Sequence, residues 1–438
     1  MVQRHGLRRG DAPRQGLRGD VTDLVIEGRF FINGELKNTA VGIEDGRIVT
    51  VGNLIRGGDE RIDLGERIVL PGFMDPHVHF RDPGMTGKED FGTGTVSALH
   101  AGVTCVLDMP NTKPPVTGLK TLESKKRAVR SKAYTDYGLF AAVTKDLDAA
   151  AVADRVAGFK LFMGSTTGKI LMNDDIAIGR AMAAIAPTGK RISVHAEDDN
   201  MIRKGGETND RDHMRNRPKE AEYNAIRRLG RYRGMPVNIC HVTNAESLAL
   251  ASSFGFATEV TPHHLLLDSS GTDGAFLKVN PPLRDSVTRE NLFAAFIGGK
   301  ASMIGTDHAP HTLTDKSMDY DQAPSGVPGI ETAVPMFMAM VKKGEMNLGE
   351  LVRMGSVNPA RAFSVNKGVI AEGYDADFAV FDPKKMAPVD ANVLHSKAGY
   401  TPYEGKDAIM ADTVIIRGNV QIREGEFCGS RCGEDLFD

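Results

Sequence analysis

Little in this sequence points to a membrane, a secreted scaffold or a polyanionic partner. No apolar run approaches the roughly 18 residues needed to cross a bilayer. Only four cysteines occur in 438 residues, Cys105, Cys240, Cys428 and Cys432. They are too few to staple a chain this long, which argues for a reducing compartment and a cytoplasmic enzyme. Cys428 and Cys432 form a C-x3-C with no second pair nearby, so a zinc site there is disfavoured. Cys105 and Cys240 lie in apolar strand-like runs and read as small core residues. Neither sign of charge dominates: 54 basic and 57 acidic residues leave a net charge of −3. That balance draws neither nucleic acid nor a membrane surface. Residues 1–20 are rich in arginine and glycine and lack an apolar signal core, so a flexible arm is expected, not a secretory signal.

What is present suits a large barrel with an accessory domain. Apolar residues make up 41% of the chain, enough for a sizeable core. Residues 21–70 read as short strands punctuated by Asn33-Gly34 and Asp45-Gly46, both strong hairpin signals. Residues 368–438 repeat that texture, with Phe378 to Phe381 and Val414 to Ile416 as strands. Each end alone is too short to bury a core, so the two are expected to pair as one small β-sandwich domain.

Between them, in residues 71–367, eight apolar runs alternate with helical stretches. The runs are 68–80, 103–109, 137–143, 158–163, 191–196, 237–242, 257–262 and 301–309. Leu122 to Ala133 and Ala221 to Tyr232 are examples of the helices. Eight such units predict an α/β fold, a (β/α)8 TIM barrel. Residues 312–329, polar and rich in Asp, Pro and Gly, follow the eighth run and read as a mobile loop over the site.

The chemistry collects at the ends of these runs. Pro71 to Arg81 reads P-G-F-M-D-P-H-V-H-F-R. In an extended strand, positions 77, 79 and 81 face one way, which gives two imidazoles and an anion-holding guanidinium on one face. Lys160 lies in the fourth run, His195 ends the fifth, His241 the sixth and Asp307 the eighth. Each has a bland explanation by itself; a strand-end histidine is more often a hydrogen-bonded core residue. Six of them on five strand ends predict a two-metal centre, with imidazoles and a carboxylate suited to Zn²⁺ or a similar divalent ion. A neutral buried lysine can add CO2, and the resulting carbamate can bridge two metals. A water between such metals ionises near neutral pH, and Asp307 is placed to carry its proton.

D-P-H-V-H-F-R-D-P (75–83) and G-T-D-H-A-P-H-T-L-T-D-K (305–316) resemble the two signatures of the dihydroorotases, within the amidohydrolase superfamily. D-M-P-N-T (108–112) and K-V-N-P-P-L-R (278–284) are similar to their substrate-binding segments, and the resemblance spans about residues 21–425. It implies His77 and His79 on the more buried metal, Lys160 as the carbamylated bridge, and His195 and His241 on the second metal. Asp307 is implied as ligand and general acid/base. Arg81, Asn111 and His311 would hold a substrate carboxylate, and Asn280 the ring amides. Some bacterial relatives carry aspartate where this chain has Lys160; G-F-K-L-F-M-G here resembles the lysine-containing branch.

The expected reaction is the reversible cyclisation of N-carbamoyl-L-aspartate to L-dihydroorotate. The resemblance also implies a homodimer and an association with an aspartate transcarbamoylase. The rival readings are an allantoinase or hydantoinase and a non-catalytic scaffold on the same fold. His263 and His264 read as packing or supporting residues, and His308 as a neighbour supporting Asp307. His5, His100, His213 and His395 read as structural or surface histidines. Gly164 to Gly168 lacks the spacing of a phosphate loop.

Overall fold

The computed structural model describes residues 22–55, 58–165, 170–271 and 274–438. The expected arm, His5 and most of the Gly164–Gly168 turn lie outside these residues.

The first four strands are β1 (Leu24–Ile32), β2 (Glu35–Glu44), β3 (Arg47–Gly52) and β4 (Glu60–Pro71). Asn33 and Asp45 take left-handed backbone at φ 54° and 49°, each followed by a left-handed glycine, as two-residue hairpin turns require. The chain then enters the barrel through β5 (Phe73–Val78), β6 (Val103–Asp108), β7 (Asp136–Ala142) and β8 (Gly158–Phe162). It continues through β9 (Arg191–His195), β10 (Val237–Ile239), β11 (Ala257–Val260) and β12 (Met303–Ile304). These eight pair in parallel and in sequence order. A bridge between Val78 and His308, with His79 N–H donating to the His308 carbonyl at 2.8 Å, closes the ring. The expected (β/α)8 barrel is therefore present.

The last strands are β13 (Phe378–Phe381), β14 (Ala387–Pro388), β15 (Asp407–Ala408), β16 (Ala411–Ile416), β17 (Asn419–Arg423) and β18 (Glu426–Phe427). β14 and β15 form a two-stranded pair of their own. The other four extend the N-terminal strands into one sheet, in the order β18-β17-β16-β13-β4-β1-β2-β3. The seam is β4 against β13, where Pro71 faces Phe378 and Ile68 faces Phe381. A separate apolar cluster, including Phe30, Val41, Val69, Phe378 and Ile415, fills this sheet's core.

The run read as one strand from Ile68 to Phe80 is two strands, serving two sheets. The break falls at Gly72, where an added Cβ would stand 2.2 Å from Thr104 Oγ1. Only glycine lets the chain turn from the end sheet into the barrel so close to β6. Beneath the barrel, buried Lys367 reaches Asp136, Asp375 and Asp377 at 2.6, 3.0 and 2.7 Å. Asp136 begins β7 and Asp377 precedes β13, so this knot ties the barrel floor to the end sheet. Its position on the N-terminal face assigns it to stability, since barrels do their chemistry at the opposite face.

Candidate metal centre

In β8, Phe159 and Leu161 join the main apolar core, and Lys160 alternates with them toward the barrel interior. His77 lies in β5 and His195 ends β9. His79, His241 and Asp307 lie just beyond the ends of β5, β10 and β12. Asp307 Oδ1 stands 2.9 Å from His79 Nε2 and 3.4 Å from His77 Nε2. Lys160 Nζ is 3.3 Å from His77 Nε2. His195 Nδ1 lies 3.1 Å from His241 Nε2, and the rings of His77 and His241 are centred 5.4 Å apart. The six side chains named from sequence thus meet at one mouth.

The way they meet differs in one respect from simple strand alternation. β5 ends at Val78, and Arg81 takes left-handed backbone at φ 61°. Arg81 reaches the site through a turn, not as the third residue of an extended face. His241 and Asp307 also take left-handed backbone, at φ 39° and 48°. Such conformations cost about 1–3 kcal/mol each in residues with a side chain, and they collect where function fixes geometry.

The donor set fits divalent metal ions, tested on charge and on partners. Burial pushes the imidazoles of His79, His195 and His241 below their usual range, His79 to about 4, leaving neutral rings with free lone pairs. His77 behaves oppositely. Burial and Lys160 push it down, but Glu259 and Asp307 raise it to about 10. The carboxylates around His77 are arranged to hold positive charge. Asp307 is pushed up by burial, yet His77 and His79 hold it well below the carboxylate range. Lys160 is 1% exposed and pairs with no carboxylate among the described residues. An ammonium buried that way is costly, whereas a carbamate there would face the imidazoles as an anion.

Three outer contacts orient the imidazoles, as metal sites require. His77 Nδ1 bonds Glu259 Oε1 at 2.6 Å, His79 Nδ1 bonds Asn111 Oδ1 at 2.7 Å, and His195 Nε2 bonds Glu197 Oε2 at 2.8 Å. Arg217 in turn grips Glu197 through two nitrogens. Two donor groups suit a metal here: His77, His79 and Asp307, and His77, Cys240 and Glu259. Cys240 is therefore more than a core residue, because its Sγ accepts from Lys160 Nζ at 2.9 Å.

Nine of the ten candidate residues line one cavity of about 30 Å³, room for one or two waters. His311 stands just behind, with Nε2 3.2 Å from Arg81 Nη2. Asn111 holds His79, and Asn280 Oδ1 lies 2.9 Å from His213 Nε2, so both amides are already oriented. His213, read from sequence as structural or surface, supports Asn280 at the cavity wall. His264 is held by Thr261 and the Pro281 carbonyl, while neither ring nitrogen of buried His263 has a hydrogen-bond partner among the described residues.

Ser325 and Gly326 cover the cavity. Their segment is pinned in the structure: Lys316, 1% exposed, donates to the carbonyls of Lys278, Pro324 and Gly326 at 3.0–3.1 Å. The residues that sequence reasoning missed are Lys88, Glu197, Arg217, Cys240 and Glu259. Only Cys240, adjacent to His241, and Glu197, in S-V-H-A-E-D, carried a positional hint.

A family model for amidohydrolases matches residues 68–420. A dihydroorotase from Pyrococcus abyssi is 37% identical over 424 residues, covering 94% of this chain and 98% of that one. A dihydroorotase from Methanosarcina acetivorans is 35% identical, covering 90% of both chains. Among solved structures, an L-hydantoinase from Arthrobacter aurescens superposes with a TM-score of 0.89 at 25% identity, covering 95% of this chain and all of that one. A D-hydantoinase from a Thermus species gives 0.86 at 26% identity, covering 94% and 98%. With the closed barrel and the inward-facing histidines, these matches place the chain in the amidohydrolase family, as a metal-dependent cyclic amidohydrolase.

Proposed function

We propose that this enzyme is a dihydroorotase, closing N-carbamoyl-L-aspartate to L-dihydroorotate and opening the ring in reverse. Arg81 carries the reading. Arg81 is 3% exposed, and it forms no ion pair among the described residues; its guanidinium lies against the Pro310 carbonyl and His311. Burial lowers its pKa only to about 10, so it is cationic at neutral pH. Asp307, Asp108 and Glu89 favour that charge without touching it, and a buried charge with no contacting anion is unfavourable. A substrate carboxylate would supply the missing anion through a bidentate contact. The rings of hydantoin and allantoin carry no carboxylate to do so.

His77, His79 and Asp307 would hold one divalent ion and His195 and His241 the other, and Lys160, once carbamylated, would supply an anionic ligand. Ions of the zinc type, when bound, polarise a carbonyl and acidify water. In the hydrolytic direction Asp307 accepts a proton from the attacking water. The water oxygen bonds to the ring carbonyl carbon, the C–N bond breaks, and Asp307 returns the proton to the departing nitrogen. Cyclisation reverses each step. Asn280 is positioned by His213 to meet the ring amides. A homodimer, alone or beside an aspartate transcarbamoylase, is the assembly proposed for such an enzyme. No helix among the described residues is long and apolar enough to cross a membrane.

The test is turnover of carbamoyl aspartate, dihydroorotate, hydantoin and allantoin by one metal-quantified preparation. Turnover of the first two is expected. Hydantoin or allantoin turnover without dihydroorotate would transfer the enzyme to the reading suggested by its structural neighbours. No metal and no turnover would leave the scaffold reading.

A further inference from the structure

Away from the barrel mouth, three side chains far apart in sequence converge on the flank. His100 ends the helix Phe91–His100, and Glu331 lies in the first turn of the helix Ile330–Lys343. His395 lies between β14 and β15. The two imidazoles stack, with centroids 3.9 Å apart and planes 10° from parallel. Glu331 accepts the His395 backbone N–H on Oε2 at 2.8 Å and faces His395 Nδ1 with Oε1 at 2.6 Å. One donor atom from each of the three lies within 4.8 Å of the others. His100 is 7% exposed, and its Nε2 is buried without a hydrogen-bond partner among the described residues.

We propose that His100, Glu331 and His395 form a second metal site, separate from the barrel mouth, which takes one divalent transition-metal ion of the zinc type. Two imidazoles and a carboxylate are a complete protein ligand set for such an ion when its fourth position stays open. Bonds of about 2.0–2.1 Å in a tetrahedral arrangement place donor atoms roughly 3.3 Å apart. The three donors lie within 4.8 Å of one another, so the ion would draw them together. Stacked rings cannot both point edge-on at one ion, so one must turn. His395, 38% exposed against the buried His100, has the room to do so, and turning exchanges its Nδ1 contact with Glu331 for the ion. The proton it shares with Glu331 leaves to solvent as the ion takes its place.

The open position faces a cavity of about 450 Å³, lined by the three ligands and by Glu426, which adds negative charge. Lys385 also lines it, but that ammonium is engaged by Asp412 at 2.5 Å. An ion here would staple two barrel helices to the segment carrying His395. Beside it, Ser396 donates to Glu89 at 2.7 Å, and Glu89 faces His308, the neighbour of Asp307.

The test is zinc content after equilibrium dialysis of the full-length holoenzyme against Zn²⁺, for the parent, His395→Ala and His100→Gln. Each variant is expected to bind one equivalent fewer than the parent, and His395→Ala to keep parental turnover. Added Co²⁺ should give visible absorption for one further equivalent in the parent and lose it in His395→Ala. Equal zinc content in all three chains overturns the site. Circular dichroism reports folding, and His100→Gln carries the comparison if His395→Ala does not fold. The one-equivalent difference persists whether or not the barrel mouth is loaded, so this site and the dihydroorotase reading fail separately.

Discussion

The Arg81 guanidinium lies 3.2 Å from Nε2 of His311, while the Lys88 ammonium stands 2.9 Å from the ring's other nitrogen. Nδ1 therefore accepts from Lys88, and the proton on Nε2 faces the Ser325 carbonyl at 3.1 Å, which leaves Arg81 beside that nitrogen with no hydrogen bond to it. Burial beside Arg81 and Lys88 pushes His311 far below the usual imidazole range, so the ring stays neutral. His311 thus secures the covering loop without neutralising Arg81.

Arg81→Ala should weaken substrate binding by about 1.5–3 kcal/mol, the worth of hydrogen bonds to a charged group. That is roughly a 10- to 150-fold rise in KM. Arg81→Lys keeps the charge but loses the fork, and should recover only part of the loss. Steady-state kinetics on carbamoyl aspartate provide the check, and unchanged KM in Arg81→Ala removes Arg81 from the substrate.

Lys160→Ala should lose bound metal and activity together. Short carboxylates such as acetate should restore part of both, by supplying the anion that a carbamate would provide. Full activity in the unsupplemented variant would exclude Lys160 as the bridge.

Glu197 is pushed up by burial, but Arg217 and His195 hold it well below its unfolded value of 4.5. A carboxylate lowered in the folded state contributes stability that is complete above the unfolded value and lost as pH falls through the folded one. Glu197→Gln should therefore be less stable than the parent at pH 7, with a gap that narrows below about pH 4.5. Chemical denaturation across that range measures it, and a gap independent of pH contradicts the ionised pairing with Arg217.

Gly326 takes φ +134°, and an added Cβ would stand 2.4 Å from the Ala309 carbonyl oxygen. Gly326→Ala should displace the loop over the cavity, at a strain of about 1–3 kcal/mol. We expect kcat/KM to fall roughly tenfold or more because Gly326 lines the cavity, with Tm lower by only a few degrees, since about 1–3 kcal/mol is small for a chain this long. Parental kcat/KM in this variant would show that the loop's position is immaterial to turnover.

Much of this site was legible because strand ends are local features. His77, His195 and Lys160 sit in or at the end of short apolar runs whose period-two pattern survives in isolation. Arg81 was found for partly the wrong reason, since a left-handed turn and not strand alternation delivers it. Glu259 and Arg217 could not be singled out, because their roles come from partners 182 and 20 residues away. The same holds for His100 and His395, which are unremarkable along the chain and meet only because a barrel helix and a later segment pack together. The covering loop looked mobile by composition. Lys316 was the exception that composition could not weigh, because its three carbonyl acceptors are set by the fold.

The seam between Pro71 and Phe378 also bears on how the protein is made. β1 to β4 emerge from the ribosome about 300 residues before β13 does, so their sheet waits with β4 as an open edge through the synthesis of the whole barrel. An exposed edge of that kind invites pairing with other chains. Pausing translation just before residue 378 should yield a nascent chain that is more aggregation-prone than one released past Ile416.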